Sequence, residues 1–119
     1  MKITINTKEL LTATQSVVGV VEKKQTMPIL GHILFEMKKN KVFLTATDLE
    51  VQIKSYAKLE TEATSGFSFT VSGRKLYDII RSLNDETVDV QIKNEKLNIT
   101  TKKSKYKLAT MSPQEFPVF

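Results

Sequence analysis

Residues 67–93 have the sequence FSFTVSGRKLYDIIRSLNDETVDVQIK, which contains three recognisable elements in one continuous run. Apolar and polar residues alternate before residue 72 and again from residue 88, which is the period of a strand. Between these stretches, four apolar residues follow the i, i+3, i+4, i+7 spacing of one helix face: Leu76, Ile79, Ile80 and Leu83. Ser72 stands where a helix N-cap is expected, because its hydroxyl can accept a hydrogen bond from the first turn. The segment predicts a strand, a short amphipathic helix and a second strand.

The first half of the chain has the same order of elements. Residues 1–5 alternate as a strand, and Asn6 or Thr7 can cap the helix that follows. The apolar positions of that helix extend to Val21, and a polar linker at residues 60–66 ends this half. Alternation predicts the remaining strands at residues 29–37, 42–47, 49–53, 88–92, 97–99 and 103–110. We therefore expect an α+β fold of about eight strands, in which a βαβββ unit is duplicated and two helices pack on antiparallel sheets.

The composition excludes several classes of site. The chain has 119 residues, the length of one domain, with no cysteine and one histidine, His32. Disulfides, thiolate metal sites, iron–sulfur clusters and multi-histidine metal sites are therefore excluded. The apolar stretch at residues 17–21 contains a glycine and is far too short for a membrane span or a signal peptide. We expect a soluble, cytoplasmic protein that carries no cofactor.

The charge is unevenly distributed along the chain. Eighteen basic and 13 acidic side chains give a net charge of +5. Most of this excess lies in residues 93–119, which contain six lysines and two glutamates. A mildly positive protein suits a polyanionic partner, and a local cluster of lysines suits a specific contact surface.

Asp48 and Glu50 are the strongest candidates for catalysis. At strand spacing i, i+2 they would lie on one face and could bind Mg²⁺, as in a metal-dependent nuclease. Such a site needs further acidic ligands from elsewhere, so Asp48 is better interpreted as a turn residue beside a solvated strand face. His32 borders an apolar strand and fits a surface or strand-edge position better than the position of a general base. We expect neither a catalytic residue nor a metal site.

The polar face of the second predicted helix is a candidate for phosphate contact. It presents Arg74, Asp78 and Arg81, and the matching face of the first helix presents Lys8. If the two helices lie side by side, these residues share one modestly positive surface without aromatic rings for base stacking. Such a surface suits phosphate contact without sequence reading, although an ordinary solvated helix face has the same composition.

The last predicted strand alternates lysines with partly apolar residues. Lys103, Lys105 and Lys107 fall on one face, and Tyr106 and Leu108 fall on the other. Lysines on an edge strand can simply prevent aggregation of sheets. Alternatively, this edge strand can pair with a strand of a partner sheet whose acidic groups neutralise the lysines. The sequence leaves both interpretations open.

Several blocks of the sequence resemble one known family, the N-terminal domain of the bacterial sliding clamp, the beta subunit of DNA polymerase III. The resemblance covers essentially the whole chain in order. It rests on VVEK at 20–23, TMPILG at 26–31, LTATDLE at 44–50, RK at 74–75 and MSPQEFP at 111–117. The proline–isoleucine–leucine–glycine and threonine–aspartate–leucine–glutamate blocks are the more specific ones.

The resemblance implies a DNA-clamp fold and a non-catalytic function. Family members have three such domains per chain, and two chains close head to tail into a homodimeric ring around duplex DNA. Helices line the hole and strands form the rim, so the ring tethers the replicative DNA polymerase as a processivity factor. The family's basic inner positions carry over onto Lys24, Arg74 and Arg81, with Lys23 as a neighbouring candidate. Its subunit seam carries over onto Lys96, Lys103, Lys105, Tyr106 and Leu108.

Residues 1–119 are expected to form a single clamp domain, the first of three, and thus a piece of a longer chain. The resemblance places the groove for polymerase and clamp-loader peptides in later domains, so those partners would dock outside this sequence. The alternative is a free-standing basic module that binds nucleic acid, and a nuclease using Asp48 and Glu50 is a distant third.

Overall fold

The computed structural model describes residues 2–20, 28–60 and 68–117. The helices and strands follow in this order: β1 (Lys2–Asn6), α1 (Thr7–Val18), β2 (His32–Lys38), β3 (Lys41–Thr47), β4 (Gln52–Lys58), β5 (Ser68–Ser72), α2 (Gly73–Arg81), β6 (Thr87–Lys93), β7 (Lys96–Thr100) and β8 (Lys105–Met111). Short 3₁₀ turns at Pro28–Gly31 and Pro113–Glu115 precede β2 and follow β8. The predicted α+β fold with a duplicated βαβββ unit is confirmed. Within the described ranges, no helix has the length and apolar character needed to cross a membrane.

The two halves exchange their first strands. The sheet order is β1-β6-β7-β8-β5-β2-β3-β4, and every neighbouring pair is antiparallel. Strand β1 therefore pairs with β6 of the second half, and β5 pairs with β2 of the first half. Because each half completes the sheet of the other, neither half can bury its apolar face alone.

The eight strands form two four-stranded sheets, β1-β6-β7-β8 and β5-β2-β3-β4, and these sheets meet at two equivalent places, one within each half. In the second half, Thr70 and Val71 of β5 pair with the last two residues of β8. In the first half, Ile5 of β1 forms an isolated bridge with Leu59, just after β4. The Glu60 backbone N–H extends this contact by donating to the carbonyl oxygen of Thr4 at 2.8 Å. The eight strands thus come close to a closed ring, with an approximate twofold relation between the halves.

The helices cover the apolar side of the sheets. Alternate residues along each strand point inward, so that Phe35 and Phe69 stack with their ring centroids 5.0 Å apart. Leu10 and Val17 of α1 and Leu76 of α2 are buried against this layer. Truncating one buried leucine to alanine costs about 2–5 kcal/mol, so this packing holds both helices firmly in place.

Three strands begin later than predicted, each for a local reason. The strand predicted from residue 29 begins at His32, because Ile29 and Leu30 form a 3₁₀ turn and pack on Phe116 in a second apolar cluster. The strand predicted from residue 49 begins at Gln52, because residues 48–51 form a turn. The strand predicted from residue 103 begins at Lys105, because residues 101–104 form a turn in which Thr101 Oγ1 accepts a hydrogen bond from the Ser104 backbone N–H at 3.0 Å.

Both predicted helix caps form, and only the end of α1 differs from its prediction. The Asn6 side chain, rather than that of Thr7, accepts a hydrogen bond from the Glu9 backbone N–H at 3.0 Å. The Glu9 carboxylate accepts from the Lys58 backbone N–H at 3.3 Å, which ties the start of α1 to β4. Helix α1 ends at Val18, which is earlier than predicted, and β-branched valines weaken a helix end in this way.

Candidate nucleic-acid interface

Helices α1 and α2 lie in contact with each other on one side of the molecule. Their buried residues point into the core, and their opposite sides are exposed. We call this exposed surface the helix face; its charged and polar side chains are Lys8, Thr12, Gln15, Arg74, Lys75, Asp78 and Arg81. The two helices therefore do share one surface, and four of these seven side chains are cationic.

The start of α2 concentrates positive charge. Ser72 caps the helix by accepting a hydrogen bond from the Lys75 backbone N–H at 3.4 Å. Arg74 and Lys75 lie exposed in the first turn, which contains no acidic residue. The N-terminal end of a helix favours negative charge, so two cations there do not help the helix itself. The positive end of the helix dipole and two exposed cationic side chains together favour a bound anion.

Arg81 lies at the other end of α2, in an exposed ion pair. Its Nη2 atom is 3.4 Å from Asp78 Oδ1, and the side chains of Arg81 and Asp78 are 60% and 53% exposed. The guanidinium also lies 5.5 Å from the centre of the Tyr77 ring. Exposed pairs of this kind contribute about 0–1 kcal/mol, so Arg81 stays available to an anion in solvent. Lys23 and Lys24, the other two predicted DNA contacts, lie outside the described residues.

The predicted seam residues gather around β8. This strand pairs with β7 from Lys105 to Ala109, whereas only Thr110 and Met111 pair with β5. Among the described residues, no strand pairs with the other edge of residues 105–109. The structure therefore corrects the simple picture of an edge strand, because β8 lies inside the sheet order but has one open edge along most of its length.

The seam side chains divide between two neighbouring depressions. Lys96 and Lys105 line a concavity of about 410 Å³ on the outward side of the sheet. Lys103, in the turn before β8, and Tyr106 line a second one of about 370 Å³. Tyr106 and Leu108 are half-buried and pack against the core, so only part of each side chain could contact another molecule.

The sequence of the chain matches a known protein family. The family model described as the DNA polymerase III beta subunit, N-terminal domain, matches residues 1–119. The chain belongs to this family. A beta sliding clamp from Pseudomonas putida is 39% identical over 118 residues, which are 98% of this chain and 32% of that protein. The chain thus spans about a third of the length of that clamp.

Solved structures give the same result for the fold. The DNA polymerase III beta subunit of Pseudomonas aeruginosa superimposes with a TM-score of 0.92 at 35% identity, over 100% of this chain and 32% of that one. The Helicobacter pylori beta clamp bound to a DNA ligase peptide superimposes with a TM-score of 0.92 at 33% identity, over 100% of this chain and 33% of that one. The clamp-domain fold that the sequence blocks imply is therefore confirmed.

The Asp48 and Glu50 pair does not form a shared carboxylate face in this clamp-family domain. Asp48 Oδ1 accepts hydrogen bonds from the backbone N–H groups of Glu50 and Val51, at 2.9 and 2.8 Å. The Val51 N–H, followed by that of Glu50, holds the pKa of the Asp48 carboxyl below its ordinary value. Asp48 is a turn residue, and the strand spacing used for the nuclease hypothesis was wrong. No cluster of three metal-ligating side chains occurs within residues 2–20, 28–60 and 68–117.

His32 lies half-buried at the start of β2. Its Nδ1 atom is 3.0 Å from Thr70 Oγ1, and that hydroxyl donates to the carbonyl oxygen of Met111 at 3.3 Å. Burial lowers the pKa of the imidazole below 6.5, against an opposing effect of the hydrogen bond at Thr70. The contacts link β2, β5 and β8, so His32 has a structural position inside the sheet, which is more buried than the predicted surface or strand-edge position.

One lysine near the seam, Lys93, was not among the predicted site residues, and Lys107 was predicted only to share the lysine face of the last strand. Lys93 and Lys107 line the same concavity as Lys96 and Lys105. Lys93 stands directly opposite Lys96 in the β6–β7 register, and Lys107 follows the alternation of Lys105. The pairing of Lys93 with Lys96 is evident only in the structure, because the sequence shows that residues 94–95 separate the two strands but not how the strands pair.

Proposed function

We propose that this chain is one domain of a ring-shaped sliding clamp, a non-catalytic processivity factor that encircles duplex DNA and tethers a replicative DNA polymerase. The observation that carries the proposal is the exposed cationic helix face in a chain of this family. A ring that slides needs contacts with DNA that are weak and independent of the base sequence. Exposed arginines and lysines on short helices supply such contacts. Retention then depends on closure of the ring rather than on affinity.

Duplex DNA contacts this domain through Arg74 and Arg81, together with Lys23 and Lys24. Arg74 extends from the start of α2 and Arg81 from its end, on the same helix face. Four phosphate contacts give a salt slope of about −3.6, which corresponds to weak binding at physiological ionic strength. Tyr77, the aromatic residue of α2, is half-buried beside Arg81, which supports phosphate contact over base stacking.

The second subunit binds at the open edge of β8, in a head-to-tail homodimer. Lys96, Lys103 and Lys105 contribute positive charge, and the exposed parts of Tyr106 and Leu108 contribute apolar contact. An acidic strand that adds to residues 105–109 would satisfy the free backbone groups and neutralise the lysines together. This combination supports partner binding over a purely protective function for the lysines.

Polymerase and clamp-loader partners dock on domains that follow this one in the complete ring. The Helicobacter pylori clamp holds a DNA ligase peptide, which supports a ring that recruits enzymes through short segments. The domain itself performs no reaction and needs no cofactor or metal. Its place of action is the cytoplasm, where bacterial DNA is replicated.

The seam can be tested in the full-length chain. Lys103→Glu with Lys105→Glu reverses charge at the β8 edge, and sedimentation should then show a shift from dimer to monomer. Lys38→Glu with Lys39→Glu is the matched control, since both lysines are exposed at the distant β2–β3 turn. A dimer that survives the first pair of changes would refute the seam. Sub-micromolar binding of the 119-residue chain to linear duplex at physiological salt would instead favour a free-standing binding module.

A further inference from the structure

Lysines and aromatic rings gather on the outward face of β2, β3 and β4, which meets the helix face beside Lys8 and Thr12 of α1. Alternate residues of β3, such as Val42 and Leu44, are buried in the core, so Phe43 between them points outward. Phe43 stands directly opposite Tyr56 of β4. We call this surface the lysine–aromatic patch; its residues are Lys38, Lys41, Phe43, Lys54, Tyr56 and Lys58.

The two rings of the patch are held together and surrounded by ammonium groups. The ring centroids of Phe43 and Tyr56 are 6.1 Å apart, with an angle of 49° between the planes. Lys41 Nζ lies 4.6 Å from the centre of the Tyr56 ring. Lys38 and Lys54 each place Nζ 5.3 Å from the centre of the Phe43 ring. Three cations thus lie over two ring faces.

The positive charge of the patch is largely uncompensated. Lys41 stands opposite Lys38 on one side and Lys58 on the other. Like charges directly opposite each other destabilise a sheet, so folding alone does not explain this arrangement. Glu36 is the one acidic residue in β2, β3 and β4, and it lies 3.9 Å from Lys54. A polyanion would relieve the repulsion between these lysines.

Tyr56 is the accessible ring of the pair. Tyr56 is 51% exposed, whereas Phe43 is half-buried. A shallow depression of about 230 Å³ beside Tyr56 is lined by Lys8, Glu9 and Thr12 of α1. The Glu9 carboxylate there already accepts a hydrogen bond from the Lys58 backbone N–H. The depression leaves room for a flat group against the tyrosine ring and adds Lys8 as a further cation.

We propose that the lysine–aromatic patch binds single-stranded nucleic acid, with a base stacked on Tyr56 and neighbouring phosphates paired with Lys41, Lys54 and Lys58. Aromatic rings among basic side chains are the combination that sequence-tolerant single-strand binding uses. Duplex DNA keeps its bases stacked internally and offers none to the ring. An acidic peptide would pair with the lysines but would make no use of the exposed ring. The lysine that covers Tyr56 can move to a phosphate when a base takes its place.

The test measures binding of the 119-residue chain to a fluorescent oligothymidine of about 16 nucleotides, by anisotropy at low salt. Tyr56→Ala should weaken binding at least about fivefold, whereas Tyr56→Phe should retain it, because the ring face persists. Lys41→Gln with Lys54→Gln should flatten the salt slope by about 1.4, through loss of two phosphate contacts. Lys93→Gln with Lys102→Gln removes the same charge elsewhere and should have the smaller effect. Circular dichroism checks that each variant is folded.

Three results would overturn the proposal. One is unchanged oligothymidine binding in both Tyr56→Ala and the double lysine variant. Another is polyglutamate binding that is as tight as oligothymidine binding and equally sensitive to Tyr56→Ala, which would assign the patch to an acidic peptide. The third is loss of oligothymidine binding in Arg74→Gln with Arg81→Gln, which would place the single strand on the helix face. If that last variant instead loses only duplex binding, the helix face and the patch are separate sites that can fail separately.

Discussion

Arg81 Nη2 lies 3.4 Å from Asp78 Oδ1, one helical turn earlier on the same exposed side of α2. The pair places an acid among the cations that we assign to DNA. Because both side chains are more than half exposed, solvent screens their attraction and a phosphate can compete with the carboxylate for the guanidinium.

Removing the Asp78 carboxylate should therefore strengthen duplex binding. Asp78→Asn frees Arg81 and removes a negative charge from the helix face, so we expect about two- to fivefold tighter binding of the 119-residue chain. Fluorescence anisotropy with a short duplex at low salt measures the change. Glu50→Gln is the control, because it removes one exposed carboxylate at the β3–β4 turn and should leave affinity unchanged. Weaker binding by Asp78→Asn would contradict a phosphate contact at Arg81.

The two arginines of α2 should contribute to the salt dependence of duplex binding. Arg74→Gln with Arg81→Gln removes two phosphate contacts, so the slope of log affinity against log salt should become shallower by about 1.8. The effect should be the same on duplexes of different sequence, because phosphate contacts carry no base information. A slope that stays constant would move the DNA contacts away from α2.

The β3–β4 turn contains a strained residue whose replacement should stabilise the domain. Leu49 has a φ of 80°, a left-handed conformation that costs a residue with a side chain about 1–2 kcal/mol. Leu49→Gly should raise the free energy of unfolding by about 1 kcal/mol, measured by urea denaturation. Val51→Gly is a matched control, since Val51 is equally exposed but does not have a positive φ, and it should destabilise. Destabilisation by Leu49→Gly would show that the exposed leucine contributes packing that outweighs the strain.

His32 should make stability depend on pH in the weakly acidic range. Burial lowers the pKa of its imidazole in the folded state, so the unfolded chain binds the proton more readily. The free energy of unfolding should then be constant well above pH 6.5 and fall as the pH drops through 6.5 toward the lowered folded-state value. Urea midpoints measured across this range should fall in the wild type and stay flatter in His32→Gln. Equal pH dependence in both proteins would assign the effect to other groups.

The strands and helices themselves could largely be predicted from local pattern. The spacing of Leu76, Ile79, Ile80 and Leu83 identified α2, and the caps at Asn6 and Ser72 fell within one residue of their predicted positions. Alternation also showed which face of each strand is buried. Alternation does not show which strands pair, so it could not predict the exchange of β1 and β5 between the halves.

The surfaces were harder to predict, because they depend on cross-strand register and on turns. Phe43 and Tyr56 are 13 positions apart and meet only because the turn at residues 48–51 sets the β3–β4 register. The sequence predicts a turn residue at Asp48 but a strand from residue 49, since a leucine in the left-handed region has no signature in the sequence. Membership of the clamp family came instead from blocks such as TMPILG, whose resemblance does not depend on periodicity.

Retention on closed DNA is the most direct test of the central claim, that the duplex is held by a closed ring and only weakly by contact. The full-length chain is loaded onto a nicked circular plasmid, and the complex is passed through gel filtration at a salt concentration that abolishes binding to short duplexes. We predict that the protein stays with the circle and leaves when a restriction enzyme linearises it. Equal retention on circular and linear DNA, or loss from both, would contradict the account.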